Sequence, residues 1–359
     1  MCKTNFVIIG GGWRSEFYLR IAKEMPERFE VVGMAIRNEV KGKEMAKKWN
    51  VKVFSSVENL LKVINPTFAV VSVPREACAK IIKELTLKKI PVLAETPPAE
   101  DLDGLIELNK LTRDGAKIQV AEQYQFQPMI AALISTARSG KLGDISQVQL
   151  SVAHCYHGIS VMRKILGIGF ENATITARSF SSPLLDGPNR NGKPNEEKII
   201  MSNQVISTFD FGDKLAIYDF TDDQYFSWIR SNRLLIRGVK GEIVNSKVSY
   251  LKDFRTPVEF ELIRKDAGLN GNLEGYYHKG ILAGEEWIYE NPFVPARFTD
   301  DEIAVATCLD KMSSYVNGGP SFYSLAQASQ DHYLSLMFIK SLNENKSVST
   351  QSQPWIEPK

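Results

Sequence analysis

The sequence predicts an α/β chain: a doubly wound parallel sheet at its N-terminal end, followed by an α+β portion built on an open, mainly antiparallel sheet. Three observations carry this. Short apolar runs alternate with helical periodicities between Phe6 and Ala121. A glycine turn, Gly10-Gly11-Gly12, joins the first run to the first helix. From Ile145 onward, strand-like stretches alternate apolar and polar residues, as strands with one wet face do.

Phe6–Ile9 is a buried parallel strand, and Ser15–Lys23 a helix able to bury Phe17, Leu19, Ile21 and Ala22. Glu30–Ile36 is the second strand, Val40–Trp49 a helix and Val51–Phe54 a short strand. Ser55 or Ser56 caps a helix running through Val63, which Pro66 breaks. Phe68–Val73 is an apolar strand ended by Pro74. Ala77–Leu87 (helix), Pro91–Ala94 (strand), Asp101–Thr112 (helix) and Lys117–Ala121 (strand) follow. Strands joined by such helices imply right-handed crossovers and a parallel sheet. We expect a first domain over 1–122 and a second over 123–359. In the second, Pro128–Ser139 is a helix stopped by Gly140 and Gly143. Strands are expected at Ile145–Ala153, Ala173–Phe180, Ile199–Phe211, Lys214–Thr221, Tyr225–Ile229, Arg233–Arg237 and Glu242–Ser249. Pro183–Lys198, rich in turn residues, reads as a surface loop, and the glycine-rich Asp266–Gly284 has no assigned element. Asp300–Tyr315 and Leu325–Leu342 are helices, and the polar tail after Lys346 is expected to pack back on the first domain.

With 359 residues, 43% apolar and 24% charged, the chain is neither disordered nor too small for two cores. A net charge of +2 gives no electrostatic reason to expect nucleic acid or an anionic membrane. No apolar run approaches the roughly 20 residues of a membrane span, and Met1–Phe6 is too short and polar for a secretory leader. Cys2, Cys78, Cys155 and Cys308 are too scattered for a metal pair or disulfide framework, so no metal site and a cytoplasmic location are expected.

Strand, glycine turn and helix form the Rossmann geometry that aims backbone N–H groups at a dinucleotide diphosphate. In this G-x-G-x-x-S pattern Gly10 makes the tight turn, Gly12 allows close backbone approach, and Trp13 and Arg14 complete the turn. At the end of the second strand stand Ile36, Arg37 and Asn38, without the acidic residue that usually accepts from an NAD ribose. Arg37 suits a 2′-phosphate, which favours NADP over NAD; the alternative is an exposed Arg37 and NAD held through Asn38.

The order of parts resembles the glucose-fructose oxidoreductase / inositol dehydrogenase / rhizopine catabolism (Gfo/Idh/MocA) family. The landmarks are Gly10-x-Gly12, Val71-Ser72-Val73-Pro74 and Ala94-Glu95-Thr96-Pro97. They continue with Ser139-Gly140-Lys141-Leu142-Gly143, His157 ten residues before Gly167, and Tyr323-Ser324-Leu325-Ala326. The resemblance implies an NAD(P)-dependent oxidoreductase of sugars, polyols or related hydroxy compounds. It places Ser72, Val73 and Pro74 along the cofactor, Glu95 within reach of the nicotinamide ribose or carboxamide, and Gln123 as an amide partner of cofactor or substrate.

The departures concern proton handling. Thr96 stands where the family has a catalytic lysine, and its hydroxyl has no useful acid-base range at neutral pH. Ala153 and Ser160 stand at two usually acidic positions. His157 falls on the family's catalytic histidine and is the best general acid/base candidate, with Tyr156 and His154 as reserves. An extended segment would put His154 and Tyr156 on one face and His157 opposite; a helix would bring His154 and His157 together. Tyr124 and Gln125 replace a basic residue, which disfavours an anionic substrate held at that point. Tyr124 and Arg163 are further substrate candidates, though Arg163 could instead only pack and pair. Tyr218, Phe220, Tyr225, Phe226 and Trp228 read as sheet core or subunit interface. The alternatives to a dehydrogenase are a redox-inactive dinucleotide or sugar sensor, and a lyase or glycosidase using transient oxidation. A homodimer or homotetramer through the second sheet is the default assembly.

Overall fold

The computed structural model describes residues 3–268 and 275–356. Six strands form the first sheet: β1 (Thr4–Ile9), β2 (Phe29–Ala35), β3 (Val53–Phe54), β4 (Phe68–Val71), β5 (Val92–Ala94) and β6 (Ile118–Val120). They run in the order β3-β2-β1-β4-β5-β6 with every neighbour parallel. The crossovers are α1 (Ser15–Glu24), α2 (Glu39–Trp49), α3 (Val57–Leu61), α4 (Arg75–Leu87) and α5 (Leu102–Arg113). Asn38, Ser56 and Asp101 cap α2, α3 and α5 by accepting the N–H three residues on. Strand order reverses between β1 and β4, so a crevice opens at the carboxyl ends of these strands.

The chain continues with α6 (Pro128–Arg138), β7 (Ile145–Ser151), α7 (Cys155–Leu166), β8 (Thr174–Leu185), β9 (Ile199–Asp210), β10 (Leu215–Phe220) and β11 (Arg233–Gly238). Then come β12 (Gly241–Val244), β13 (Lys247–Asp253), β14 (Thr256–Ala267), β15 (Tyr277–Ala283), β16 (Glu286–Glu290), α8 (Asp300–Val316), α9 (Leu325–Glu344) and β17 (Val348–Ser349). The second sheet has the order β16-β15-β14-β13-β12-β11-β7-β10-β9-β8-β17 and is antiparallel except where β7 meets β10. Its core packs α6, α7 and α9 against one face, around Leu150, Ile165, Phe209, Ile236 and Phe338.

Segments from the C-terminal part of the chain pack on both faces of the parallel sheet. On one face Phe293, Ile303 and Leu309 join Phe6, Ile8 and Tyr18. On the other, Tyr323, Leu325 and Trp355 join Val7, Ile9 and Val71. The β6 edge is covered too: Gln119 Oε1 accepts from Ser321 Oγ and from the N–H groups of Phe322 and Tyr323, each at 3.0 Å. This closes an edge that would otherwise offer unpaired backbone groups.

Three expectations are corrected. Tyr225–Ile229 is not a strand. Thr221 and Gln224 form a capping box that turns Asp222–Tyr225 into one 3₁₀ turn. Glu242–Ser249 is a hairpin rather than one strand, because Asn245 (φ 55°) reverses the chain and pairs Val244 with Lys247. Pro183 lies inside β8, opposite Met201, so the expected loop begins only after Leu185. The strands β14 to β16 had no counterpart in the sequence reading, and of Asp266–Gly284 residues 269–274 lie outside the described residues.

Candidate active site

Four adjacent parallel strands end in Gly10, Ser72, Glu95 and Glu122 or their immediate neighbours. Gly10 adopts φ 120°, and a Cβ there would fall 1.9 Å from the Ser72 carbonyl oxygen, so the β1 turn is seated on the end of β4. Gly12 differs: a Cβ on it would meet nothing within 4 Å. The N–H groups of Gly12, Trp13 and Arg14 have no protein acceptor among the described residues. Open space above a glycine, with free N–H groups at a helix start, is what a diphosphate requires.

The side chains around the turn divide sharply. Ile36 is buried and packs under Gly11, while Arg37 is exposed. Asn38 is also exposed, but its side-chain oxygen is committed to the Lys41 N–H at 2.9 Å. The Arg14 side chain turns away from the glycines: Nε donates to Glu95 Oε1 and Nη1 to Asp301 Oδ2, both at 3.0 Å. The Arg14 charge is thus met within the protein, by Glu95 and Asp301. Tyr18 also donates to Glu95 Oε1, which leaves Oε2 without a protein donor among the described residues. Gln123 is buried, with Nε2 3.5 Å from Asp301 and a buried Oε1 that has no partner. Ser72 is buried, Val73 half-buried, and Pro74 exposed as the residue before α4. The turn, this orphaned amide oxygen and Glu95 Oε2 all fit a bound dinucleotide.

The segment the sequence left open is a sharp turn into a helix. Cys155 adopts φ 40° at the start of α7. Tyr218 pins this turn: its hydroxyl donates to the Ala153 carbonyl (2.9 Å) and accepts from the Cys155 N–H (3.0 Å). Gly158 makes room for the ring, since a Cβ there would lie 2.6 Å from it. His154 and His157 consequently share a face, ring centroids 5.0 Å apart, with Tyr156 4.5 Å and Tyr124 4.6 Å from His157.

His157 Nδ1 lies 2.7 Å from Glu122 Oε2 in a nearly dry setting, where Glu122 is 1% and His157 7% exposed. A carboxylate only accepts, so Nδ1 carries the proton and Nε2 is left to face a ligand. Glu122 Oε1 accepts the Tyr124 N–H at 3.2 Å. Tyr156 donates to the Thr96 carbonyl at 3.3 Å, and burial pushes its hydroxyl up to about 12. The Tyr225 hydroxyl accepts the His154 N–H (3.0 Å) and lies 2.5 Å from His154 Nδ1. Burial, then His157, Arg75 and Arg190, lower His154 to about 4, so it stays neutral at physiological pH.

The sequence-derived candidates Thr96, Tyr124, His154, Tyr156 and His157 thus converge. Arg163 does not join them. It is buried on another side of α7, paired with Asp331 and donating to the carbonyls of Gln327 and Gly169. Two residues escaped the sequence reading, Glu122 and Tyr225. An acid at the carboxyl end of a parallel strand, and the Thr221–Gln224 capping pattern, were the signals that could have found them.

A parallel sheet with a glycine turn beside its switch point, backed by an open second sheet, defines a dinucleotide-binding Rossmann protein. Residues 4–123 match the Gfo/Idh/MocA family model, described as an oxidoreductase family with an NAD-binding Rossmann fold. Solved structures share the fold along nearly the whole chain. An oxidoreductase from Agrobacterium radiobacter, in complex with NAD+, L-tartaric acid and magnesium, has TM-score 0.69 and 14% identity over 96% of this chain and 98% of its own. An NAD-binding oxidoreductase from Klebsiella pneumoniae has 0.69 and 13% over 98% and 100%. Levoglucosan dehydrogenase, in complex with NADH and levoglucosan, has 0.68 and 15% over 97% and 99%. No curated protein sequence matches the chain.

Two outcomes test this geometry. Gly10→Ala should destabilise the fold by about 1–3 kcal/mol or more, whereas Gly12→Ala should keep its melting temperature yet bind NADPH about tenfold more weakly. Thermal denaturation and NADPH fluorescence titration read the two; wild-type affinity in Gly12→Ala contradicts the cradle. The second outcome concerns pH. His154 has its folded-state value depressed to about 4, so the unfolded chain binds a proton first, and stability falls as pH drops from 6.5 towards 4. His154→Gln should therefore lose less melting temperature between pH 7 and pH 5 than the wild type.

Proposed function

We propose that this protein is an NAD(P)-dependent oxidoreductase acting on a hydroxyl of a sugar, polyol or related hydroxy compound, with His157 moving the proton. The observation that carries the reading is the 2.7 Å contact between His157 Nδ1 and buried Glu122, beside the Glu95-Thr96-Pro97 turn. A bound dinucleotide supplies the hydride acceptor or donor; the chain supplies binding, orientation and the proton path. Glu122 holds the imidazole in the Nδ1–H tautomer, so Nε2 can accept the proton of a hydroxyl undergoing oxidation and return it in the reverse direction. Neutral His154, whose Nδ1 is already taken by Tyr225, serves as a hydrogen-bond donor to a substrate oxygen, while the Tyr156 hydroxyl, its proton given to the Thr96 carbonyl, can accept from a substrate hydroxyl. This arrangement accounts for the family's missing acid at position 153. Ala153 is fully buried in the core of the second sheet, and Glu122 brings its carboxylate from the first. Thr96 contributes its carbonyl to Tyr156 rather than its hydroxyl to proton transfer.

For the cofactor, NADP is the better fit: Arg37 is exposed at the end of β2, and the Asn38 oxygen is spent on its cap. We also propose self-association through the second sheet, where Phe180, Ile199, Met201 and Ile206 lie exposed on paired strands β8 and β9. No described helix is long and apolar enough to cross a membrane.

With a sugar and polyol panel, His157→Ala should lower kcat by about 10²–10⁴, and Glu122→Gln by a smaller factor, both with NADPH affinity close to wild type. Full turnover in His157→Ala removes His157 from the reaction. Arg37→Ala should weaken NADPH about tenfold and leave NADH unchanged; equal affinities for the two dinucleotides in the wild type overturn the NADP assignment.

A further inference from the structure

Two cations border the His157 site without being used by the reaction just described. Arg75 is the first residue of α4, directly after the end of β4, and is exposed. Arg190, in the connection between β8 and β9, reaches over from the second sheet. Its guanidinium lies 4.2 Å from the centre of the Trp13 ring on the glycine turn and 5.7 Å from that of Phe226. Phe226 adjoins Tyr225, the residue that holds His154. One arginine thus comes from each sheet, and the charge of both is felt at the His154 ring.

Neither has an acidic partner within 4 Å among the described residues, whereas Arg14 has two and Arg163 one. The nearby carboxylates face other partners rather than these two arginines. Glu95 is held by Arg14 and Tyr18, Glu122 by His157 and the Tyr124 N–H, and Asp301 by Arg14. Asp222 acts on Cys155 and Tyr225 but not on His154. The diphosphate of a dinucleotide has its own donors in the glycine turn. Two guanidinium groups beside the site, neither paired with any of its carboxylates among the described residues, are complementary to a ligand that brings an anion.

We propose that the substrate is a hydroxy compound bearing an anionic group, a carboxylate or a phosphate, which sits between Arg75 and Arg190 while a hydroxyl faces His157 Nε2. This rests on the oxidoreductase reading. It locates the anion away from the Tyr124–Gln125 position where the sequence reading disfavoured one.

The test uses full-length protein saturated with NADPH and, for turnover, NADP+. Matched aldoses, their uronates and their 6-phosphates, in several stereochemical series, are titrated by calorimetry alongside steady-state assays. The charged member of at least one series should bind about tenfold or more tightly than its neutral partner. Arg75→Gln and Arg190→Gln should each erase most of that ratio, and uronate against phosphate identifies the anion. Charged and neutral members binding or turning over alike overturn the proposal while leaving the oxidoreductase reading intact, as does a loss confined to dinucleotide affinity in Arg190→Gln. No binding by any charged member also overturns it. Arginine-dependent binding of an anion without turnover supports the anion site and removes the oxidoreductase reading.

Discussion

Glu122 ends the last parallel strand, and His157 stands in the first turn of the helix that follows the first strand of the second sheet. Their contact is a buried hydrogen bond that ties the end of the parallel sheet to a helix packed on the second sheet. A carboxylate taken this far from water costs several kcal/mol unless it is paired and hydrogen-bonded. Here the imidazole and the Tyr124 N–H fill that need. The end of β6, the short turn at Tyr124–Phe126 and the start of α7 are therefore set by one another. The positions of Tyr156 and His154 follow, because they ride on the same helical turn.

Behind this pair lies a second buried acid. Asp331 is held by Arg163 and Tyr323, with burial raising it to about 6 and Glu122 adding to the rise. A small cavity lined by Thr96, Glu122, Tyr156, Tyr323, Asp331 and His332 lies between them. Two buried carboxylates this close would repel if both stood unpaired. Arg163, which the sequence offered as a substrate contact, neutralises one of them and leaves the imidazole for the other. Its place in the motif is thus explained by support of the site rather than by contact with a ligand.

The parallel half of the fold was legible because its strands carry short apolar runs and its helices their period in the local sequence; the Ser56 cap stands where the residues imply, whereas α1 and α4 start without a side-chain cap. The second sheet was harder to read. β14 is exposed along most of its length, so the alternation that marks a half-buried strand is missing, and Asn245 hides a hairpin inside one apolar-polar run. The site was legible as far as local motifs reach. His157, Tyr156 and the glycine turn could be named, but whether His154 and His157 share a face depended on the Tyr218 clamp, a contact made 63 residues away. Glu122 and Tyr225 complete the site through partners 35 and 71 residues distant, and Arg14 is claimed by an acid 287 residues on. No periodicity carries that information.

Hydride and proton transfer at one substrate carbon require the dinucleotide and the His157–Glu122 pair to share one crevice. A crystal structure of the protein with NADPH tests this most directly. We predict the diphosphate over Gly12, the nicotinamide beside Glu95 and Thr96, and His157 Nε2 open towards its reactive carbon, with room for a substrate hydroxyl at about 3 Å. A nicotinamide lodged away from His157, or a His157 whose Nε2 rather than Nδ1 engages Glu122, would contradict it.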